Sequence, residues 1–233
     1  MRLNKFLSRC GLDSRRKCDD IIKNKKIFIN GSIVTDFSYQ VKDDDVVMYN
    51  DKYLEIEDKS VIYMLNKPKG YVCTSKDPQN RLKVIDLIDV NIRLFTIGRL
   101  DRDTTGIILL TNDGDVSNKL THPKYNKEKK YYVKTKGRIE NHFLNKIKNG
   151  YRLEDGVKVK ADIKLISYSG NIFEWDVVLK EGKNREIKRI FSNFNSKVTL
   201  IHRYSFSGLE LNNLKIGKYR KMSIKEIKNK LLK

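Results

Sequence analysis

Apolar residues first fall at helical spacing at Leu3, Phe6 and Leu7, which predicts a short helix over residues 2–8, ended by Gly11. Asp13 or Ser14 then caps a second helix, with Arg15, Arg16 and Lys17 in its first turns and Cys18, Ile21 and Ile22 on its apolar face. Over residues 25–35, KKIFINGSIVT, the pattern changes to strand, turn at Asn30-Gly31, and strand. Two helices and a hairpin make a very small module. Acidic residues crowd Asp43-Asp44-Asp45 and the stretch from Asp51 to Asp58, which predicts a boundary. Residues 1–58 are expected to be the module with its linker, and residues 59–233 a larger domain.

Beyond that boundary the chain reads mostly as strands. VIYMLNKPKGYVCT predicts a strand, a turn at Lys67-Pro68-Lys69-Gly70 and a second strand. Leu94 to Ile97 is a short strand, IILLTND a strongly apolar one, and KKYYVKT an alternating one. KADIKLISYS and IFEWDVVLK pair as a hairpin across Gly170. Helices are expected over Asp115–Leu120, over residues 140–149 with Phe143, Leu144 and Ile147 inward, and over NREIKRIFSNF with Ile187, Ile190, Phe191 and Phe194 on one side. The tail SIKEIKNKLLK reads as a basic helix. Many strands with few helices between them predict an α+β fold with a mixed, mainly antiparallel sheet.

Charge adds a partner class. Lys and Arg number 49 against 29 Asp and Glu, a formal net charge of +20. Residues 1–30 carry net +6, residues 31–60 net −5, and residues 61–233 net +19. A basic surface of this size favours a polyanion, nucleic acid being the commonest, although a Lys-rich composition raises the same number without any partner. Cys10, Cys18 and Cys73 are too few and too scattered for a disulfide framework or a zinc site, and they fit a reducing compartment. No apolar run approaches the roughly 20 residues that span a bilayer. The N-terminus lacks the apolar core of a signal peptide, so a cytoplasmic protein is expected.

His122, His142 and His202 lie in unrelated contexts, and neither a phosphate-cradling glycine loop nor a nucleophile elbow is present. The expectation is therefore no metal and no cofactor. Three segments remain. Gly98-Arg99-Leu100-Asp101-Arg102-Asp103-Thr104-Thr105-Gly106 is a loop between two strands, and loops on rigid scaffolds carry catalytic groups. Its two carboxylates sit on an otherwise anion-binding surface, which calls for an internal ion pair or a chemical task. Glu181 to Arg189 turns through Gly182 into a basic helix, where a solvated face is the plain reading and an RNA contact the functional one. Tyr131 and Tyr132 face opposite sides of a strand, so one is core and the other can offer its ring to a base.

In these motif forms the sequence resembles the RsuA/RluB family of bacterial ribosomal RNA pseudouridine synthases. GRLDRDTTGIILLTNDG resembles that family's signature loop and strand, EKKYYV its tyrosine motif, EGKNREIKRIF its basic helix motif, and LNKPKGYVCT the first strand pair of its catalytic domain. The opening residues are similar to the alpha-L RNA-binding module, which ribosomal proteins and tRNA synthetases also carry. The resemblance implies isomerisation of a uridine, with Asp101 as catalytic aspartate, Tyr131 stacked on the uracil and Lys188 as the basic partner of Asp101. It implies RNA contacts at Lys5, Arg15 and Arg16 in the module, and at Arg99, Arg185 and Arg189 in the larger domain. The expected partner is ribosomal RNA or a ribosomal precursor particle, with large-subunit RNA favoured by HPKYNKEKKYYV and LNNLKIGKYRKMS, and the expected state is a monomer. The alternatives are a non-catalytic RNA-binding or ribosome-assembly protein and a synthase acting on tRNA. Asp101 acts either as a nucleophile or as a base on the sugar; the sequence leaves both open.

Overall fold

The computed structural model describes residues 1–57 and 59–227. They form two compact units: Met1–Val61 with the short segments Asn91–Arg93 and Asn112–Gly114, and the remainder from Ile62 onward.

The first unit holds α1 (Leu3–Arg9), α2 (Arg15–Lys23), β1 (Ile27–Ile29), β2 (Ser32–Ile33), β3 (Val47–Tyr49) and β4 (Lys52–Tyr53). Ser14 caps α2, its hydroxyl accepting the Lys17 N–H at 3.4 Å. The apolar faces that spacing marks out meet in one core of Leu3, Leu7, Cys18, Ile22, Ile27, Ile29, Val41 and Val47. Part of the acidic stretch is ordered structure. Asp45 accepts hydrogen bonds from the Lys42 N–H and the Tyr39 hydroxyl, both at 2.9 Å, and from the Asn30 amide at 3.0 Å. β3 and β4 then pair across Asn50-Asp51, both at positive φ (49° and 58°), where Asn and Asp are tolerated.

The second unit holds β5 (Ile62–Lys67), β6 (Phe95–Ile97), β7 (Thr105–Thr111), α3 (Gly114–Thr121), β8 (Lys129–Lys136), α4 (Asn141–Asn149), β9 (Tyr151–Arg152), β10 (Lys158–Val159), β11 (Ala161–Ser169), β12 (Ile172–Leu179), α5 (Glu186–Ser192), β13 (Lys197–Phe206), β14 (Leu209–Glu210), β15 (Tyr219–Lys221) and α6 (Ile224–Glu226). The main sheet runs β11-β12-β8-β13-β7-β5-β15, with β14 beside β13 and β6 beside β7. Every pairing in it is antiparallel except β13 with β7, which meet in parallel at His202 with Thr105 and Arg203 with Gly106. The sheet is thus two antiparallel halves joined by one short parallel seam. Glycine is required there. At Gly106, φ is +107° and a Cβ would lie 2.1 Å from the Arg203 carbonyl oxygen.

Three sequence expectations need correction. The strand expected after the Lys67–Gly70 turn does not form: the Gly70 N–H is drawn to the Arg102 carbonyl (2.9 Å), and Val72 makes only an isolated bridge with Lys83. α5 ends at Ser192, so Phe194 lies beyond it and packs its ring against Phe143 (4.6 Å) and Tyr151 (5.6 Å). The central strand β13 was not expected at all. Its inward positions include Arg203 and Ser205, and two register shifts break its alternation. Of the basic tail helix, Ile224–Glu226 is helical and residues 228–233 lie outside the described residues.

Candidate active site

A cleft of about 660 Å³ opens on the second unit, and its lining includes Asp101, Tyr131, Lys188, Arg99, Arg185 and Arg203. Ten of its lining residues are Lys or Arg and four are Asp or Glu, so its field favours an anionic ligand.

The loop that carries Asp101 connects β6 to β7 and is held from beneath by Lys67. This lysine ends the fully buried strand β5. Its ammonium donates to the Pro68, Arg102 and Thr104 carbonyls at 3.0, 3.0 and 2.9 Å. Three donors meeting three backbone acceptors make the loop a rigid mount. Burial pushes the Lys67 ammonium down to about 8, against the attraction of the nearby acidic groups. Further ties come from the Leu100 N–H to Cys73 Sγ (3.4 Å), the Thr104 N–H to the Asp101 carbonyl (3.1 Å), and Thr105 Oγ1 with His202 Nδ1 (2.9 Å). Lys67 had not been singled out in the sequence. The available signal was a lysine ending a run of apolar strand residues, just before a proline.

The two carboxylates of the loop have different partners. Asp103 lies 3.5 Å from the Arg102 guanidinium, with both side chains well exposed. Asp101 lies 3.8 Å from the Lys188 ammonium, and both are partly shielded. That separation is a charge contact rather than a hydrogen bond. Lys188 comes from α5, whose preceding turn is fixed by Glu186 accepting the Lys183 N–H at 2.9 Å. Burial raises the Glu186 carboxyl above its usual range. Arg185, at φ 49°, caps this helix start and points no side-chain bond into it.

The pair of tyrosines is resolved by the pleat. Tyr131 is 7% exposed and lines the cleft. Tyr132 takes the opposite face, where burial, and next the hydrogen bond to Glu174, raises its hydroxyl. The other expected residues divide. Arg99 and Arg185 are exposed and line the cleft. Arg189 is bound to Asp155, its Nε and Nη2 each 2.6 Å from Oδ2, and is not among the lining residues. Lys5, Arg15 and Arg16 belong to the first unit. Arg15 and Arg16 are exposed there, with Arg15 reaching Asn4 Oδ1 at 3.4 Å. Among the described residues, no cluster of three or more His, Cys, Asp and Glu could hold a metal ion, and no helix is long and apolar enough to cross a membrane.

Known proteins share both units. Residues 61–193 match the family described as RNA pseudouridylate synthase, and residues 1–47 match the S4 domain. A protein of Bacillus subtilis (strain 168) named ribosomal large subunit pseudouridine synthase B is 36% identical over 97% of this chain and 94% of its own length. The dual-specificity RNA pseudouridine synthase RluF of Escherichia coli (strain K12) is 33% identical over 97% of this chain and 77% of its own. A crystal structure described as a pseudouridylate synthase superposes with a TM-score of 0.70 at 30% identity, covering 99% of both chains.

Proposed function

The chain belongs to the RNA pseudouridylate synthase family, and from that premise we propose that it converts one uridine of large-subunit ribosomal RNA to pseudouridine, with Asp101 as the essential carboxylate. The observation that carries this reading is the convergence of Asp101, Tyr131 and Lys188 on one basic cleft from three separate elements. Relatives named as large-subunit synthases support the choice of RNA. We divide the chain into an RNA-binding module over residues 1–58 and a catalytic domain over residues 59–233, acting as a monomer in the cytoplasm.

A base stacked in RNA cannot turn over, so the uridine is first flipped into the cleft. Lys5, Arg15 and Arg16 on the module and Arg99 and Arg185 at the cleft hold phosphates, a contact that makes affinity fall steeply with salt. Arg189, engaged by Asp155, contributes to binding only where that pair opens. Tyr131 offers its ring to the uracil. The C1′–N1 bond breaks, the uracil rotates and C1′ bonds to C5; C5 loses its proton and N1 gains one. Atoms balance without a co-reactant. Asp101 acts on the sugar, as a nucleophile at C1′ or as the base that withdraws a sugar proton. Both routes need the same carboxylate in the same place, and Lys188 orients it.

The deciding experiment maps pseudouridine by carbodiimide labelling and reverse-transcription stops in unmodified ribosomal RNA, after incubation with wild type or Asp101→Asn. A new stop with wild type alone, while the variant still binds RNA, supports the reading. A stop with both proteins removes Asp101 from the chemistry. Binding without any stop turns the protein into a non-catalytic RNA binder.

A further inference from the structure

Arg203 sits in the middle of the sheet, at a place where a charge is costly. It is 3% exposed and yet lines the cleft. On β13 it lies directly opposite Tyr131 of β8, and directly paired residues share a face of the sheet. Its other neighbour is Gly106, at the parallel seam. The guanidinium is fixed in place: Nε donates to the Ile107 carbonyl at 2.8 Å, and Cζ lies 5.0 Å from the centre of the Phe206 ring. Nη2 is buried and has no hydrogen-bond partner. A buried cationic donor without an acceptor is among the most unfavourable arrangements a fold retains, and such a group calls for a reason.

We propose that Arg203 is a substrate-contact residue whose unpaired guanidinium edge donates to a carbonyl oxygen of the flipped uracil. This rests on the pseudouridine synthase reading and adds to it the group that recognises the base. The exposed Arg99 and Arg185 line the cleft where the proposed function places phosphates. Arg203, by contrast, lies at the level of the largely buried Tyr131, where the base and not the backbone arrives. Of the uracil edge, O2 and O4 accept hydrogen bonds and N3–H donates, so a guanidinium can meet only a carbonyl. At O4 the contact also rejects cytosine, whose amino group at that position would oppose donor to donor. A site whose buried polar group goes unpaired with the wrong substrate discriminates strongly.

The test compares single-turnover rates on RNA carrying uridine, 2-thiouridine or 4-thiouridine at the mapped position, with wild type, Arg203→Met and Arg203→Lys. Sulfur is a weak acceptor. Wild type is expected to slow roughly tenfold on one of the two thio RNAs, which identifies the oxygen. Arg203→Met is expected to lose roughly 10- to 100-fold on uridine RNA and to show no further thio effect, with RNA affinity and its salt dependence unchanged. Arg203→Lys, which keeps charge and donor, retains part of the rate and the thio effect. The proposal falls if wild type handles both thio RNAs as it handles uridine, an outcome that holds even if Arg203→Met fails to fold. It falls equally if the thio effect persists undiminished in Arg203→Met, or if that variant loses affinity and its salt slope drops by about one, the mark of a phosphate contact. Wild-type turnover on uridine RNA is measured alongside. Its complete absence removes the synthase reading, whereas turnover without a thio effect removes only the role of Arg203.

Discussion

Replacing Gly106 with alanine tests how the two halves of the sheet are joined. The added Cβ would stand 2.1 Å from the Arg203 carbonyl oxygen, 2.7 Å from its nitrogen and 2.8 Å from its carbonyl carbon, all backbone atoms that no rotamer change can clear. The φ of +107° adds strain for any residue with a side chain, on the order of 1–3 kcal/mol. Forcing the strands apart costs about 1–3 kcal/mol more. Together these amount to roughly 2–6 kcal/mol, a large part of the 5–15 kcal/mol by which domains are stable. At about 2–4 °C per kcal/mol for a chain of this size, the melting temperature drops by roughly 10 °C. Gly170→Ala is the control: it has positive φ (+54°) but nothing within 4 Å of the added carbon. A loss of about 1 kcal/mol is expected there. Thermal unfolding followed by circular dichroism measures both, and single-turnover activity is read at a temperature where each variant is folded. Asp101 precedes β7 while Tyr131 and Lys188 come from the other side of the seam, so folded Gly106→Ala should also lose rate. Equal melting shifts for the two variants, or full activity in Gly106→Ala, would show that the seam tolerates a side chain and that this reasoning is wrong.

Lys188→Met removes the ammonium 3.8 Å from Asp101; the single-turnover rate should fall roughly 10- to 100-fold with little change in RNA affinity, and an unaltered rate would reduce Lys188 to a surface charge. Lys67→Met strands three backbone carbonyls that now share one buried ammonium. It should cost on the order of 3 kcal/mol in urea unfolding, and a change below about 0.5 kcal/mol would mean that the loop is held by other ties. Glu174 is held down to about 2 by hydrogen bonds from Lys134, Tyr132 and Ser167, against an ordinary value of 4.5. Its contribution is therefore complete above pH 4.5 and lost as pH falls toward 2. Glu174→Gln should flatten that part of the acid-unfolding curve, and a curve parallel to wild type would contradict the assignment.

What was legible in the sequence was what periodicity and turn chemistry control locally. Leu3 and Leu7, Cys18 and Ile22, and the Asn30-Gly31 turn each fold as their spacing dictates. The apolar strand β7 and the β11–β12 hairpin announce themselves in the same way. The Asp101 loop was visible because two carboxylates in a basic chain need an explanation. The residues alone left an ion pair and a chemical task both open, and only the family resemblance implied catalysis. Illegible were the features set by distant partners. Gly70 to Thr74 has strand-like residues, but the Gly70 and Val72 N–H groups go to the Arg102 and Leu82 carbonyls rather than to a neighbouring strand. β13 hides because its inward residues include an arginine and a serine, which no hydrophobic alternation counts as core.

The same residue that hid β13 explains why the site lies where it does. An antiparallel half-sheet can be read from its own hairpins, but the seam between β13 and β7 joins segments almost a hundred residues apart, and at Gly106 their backbones approach too closely for a side chain. Asp101 is delivered by the half that contains β7, and Tyr131 and Arg203 by the half that contains β8 and β13. A reaction in which a base is detached, turned and rejoined needs the group that works on the sugar and the groups that hold the base to approach from different supports. A seam between two rigid half-sheets supplies those supports at a fixed separation. Lys67 fixes one of them by anchoring the Asp101 loop to β5, and the Arg203 Nε bond to Ile107 ties the other across the seam. On the proposed reading, rigidity on both sides would leave the uracil as the part free to turn, beside the unpaired Arg203 nitrogen.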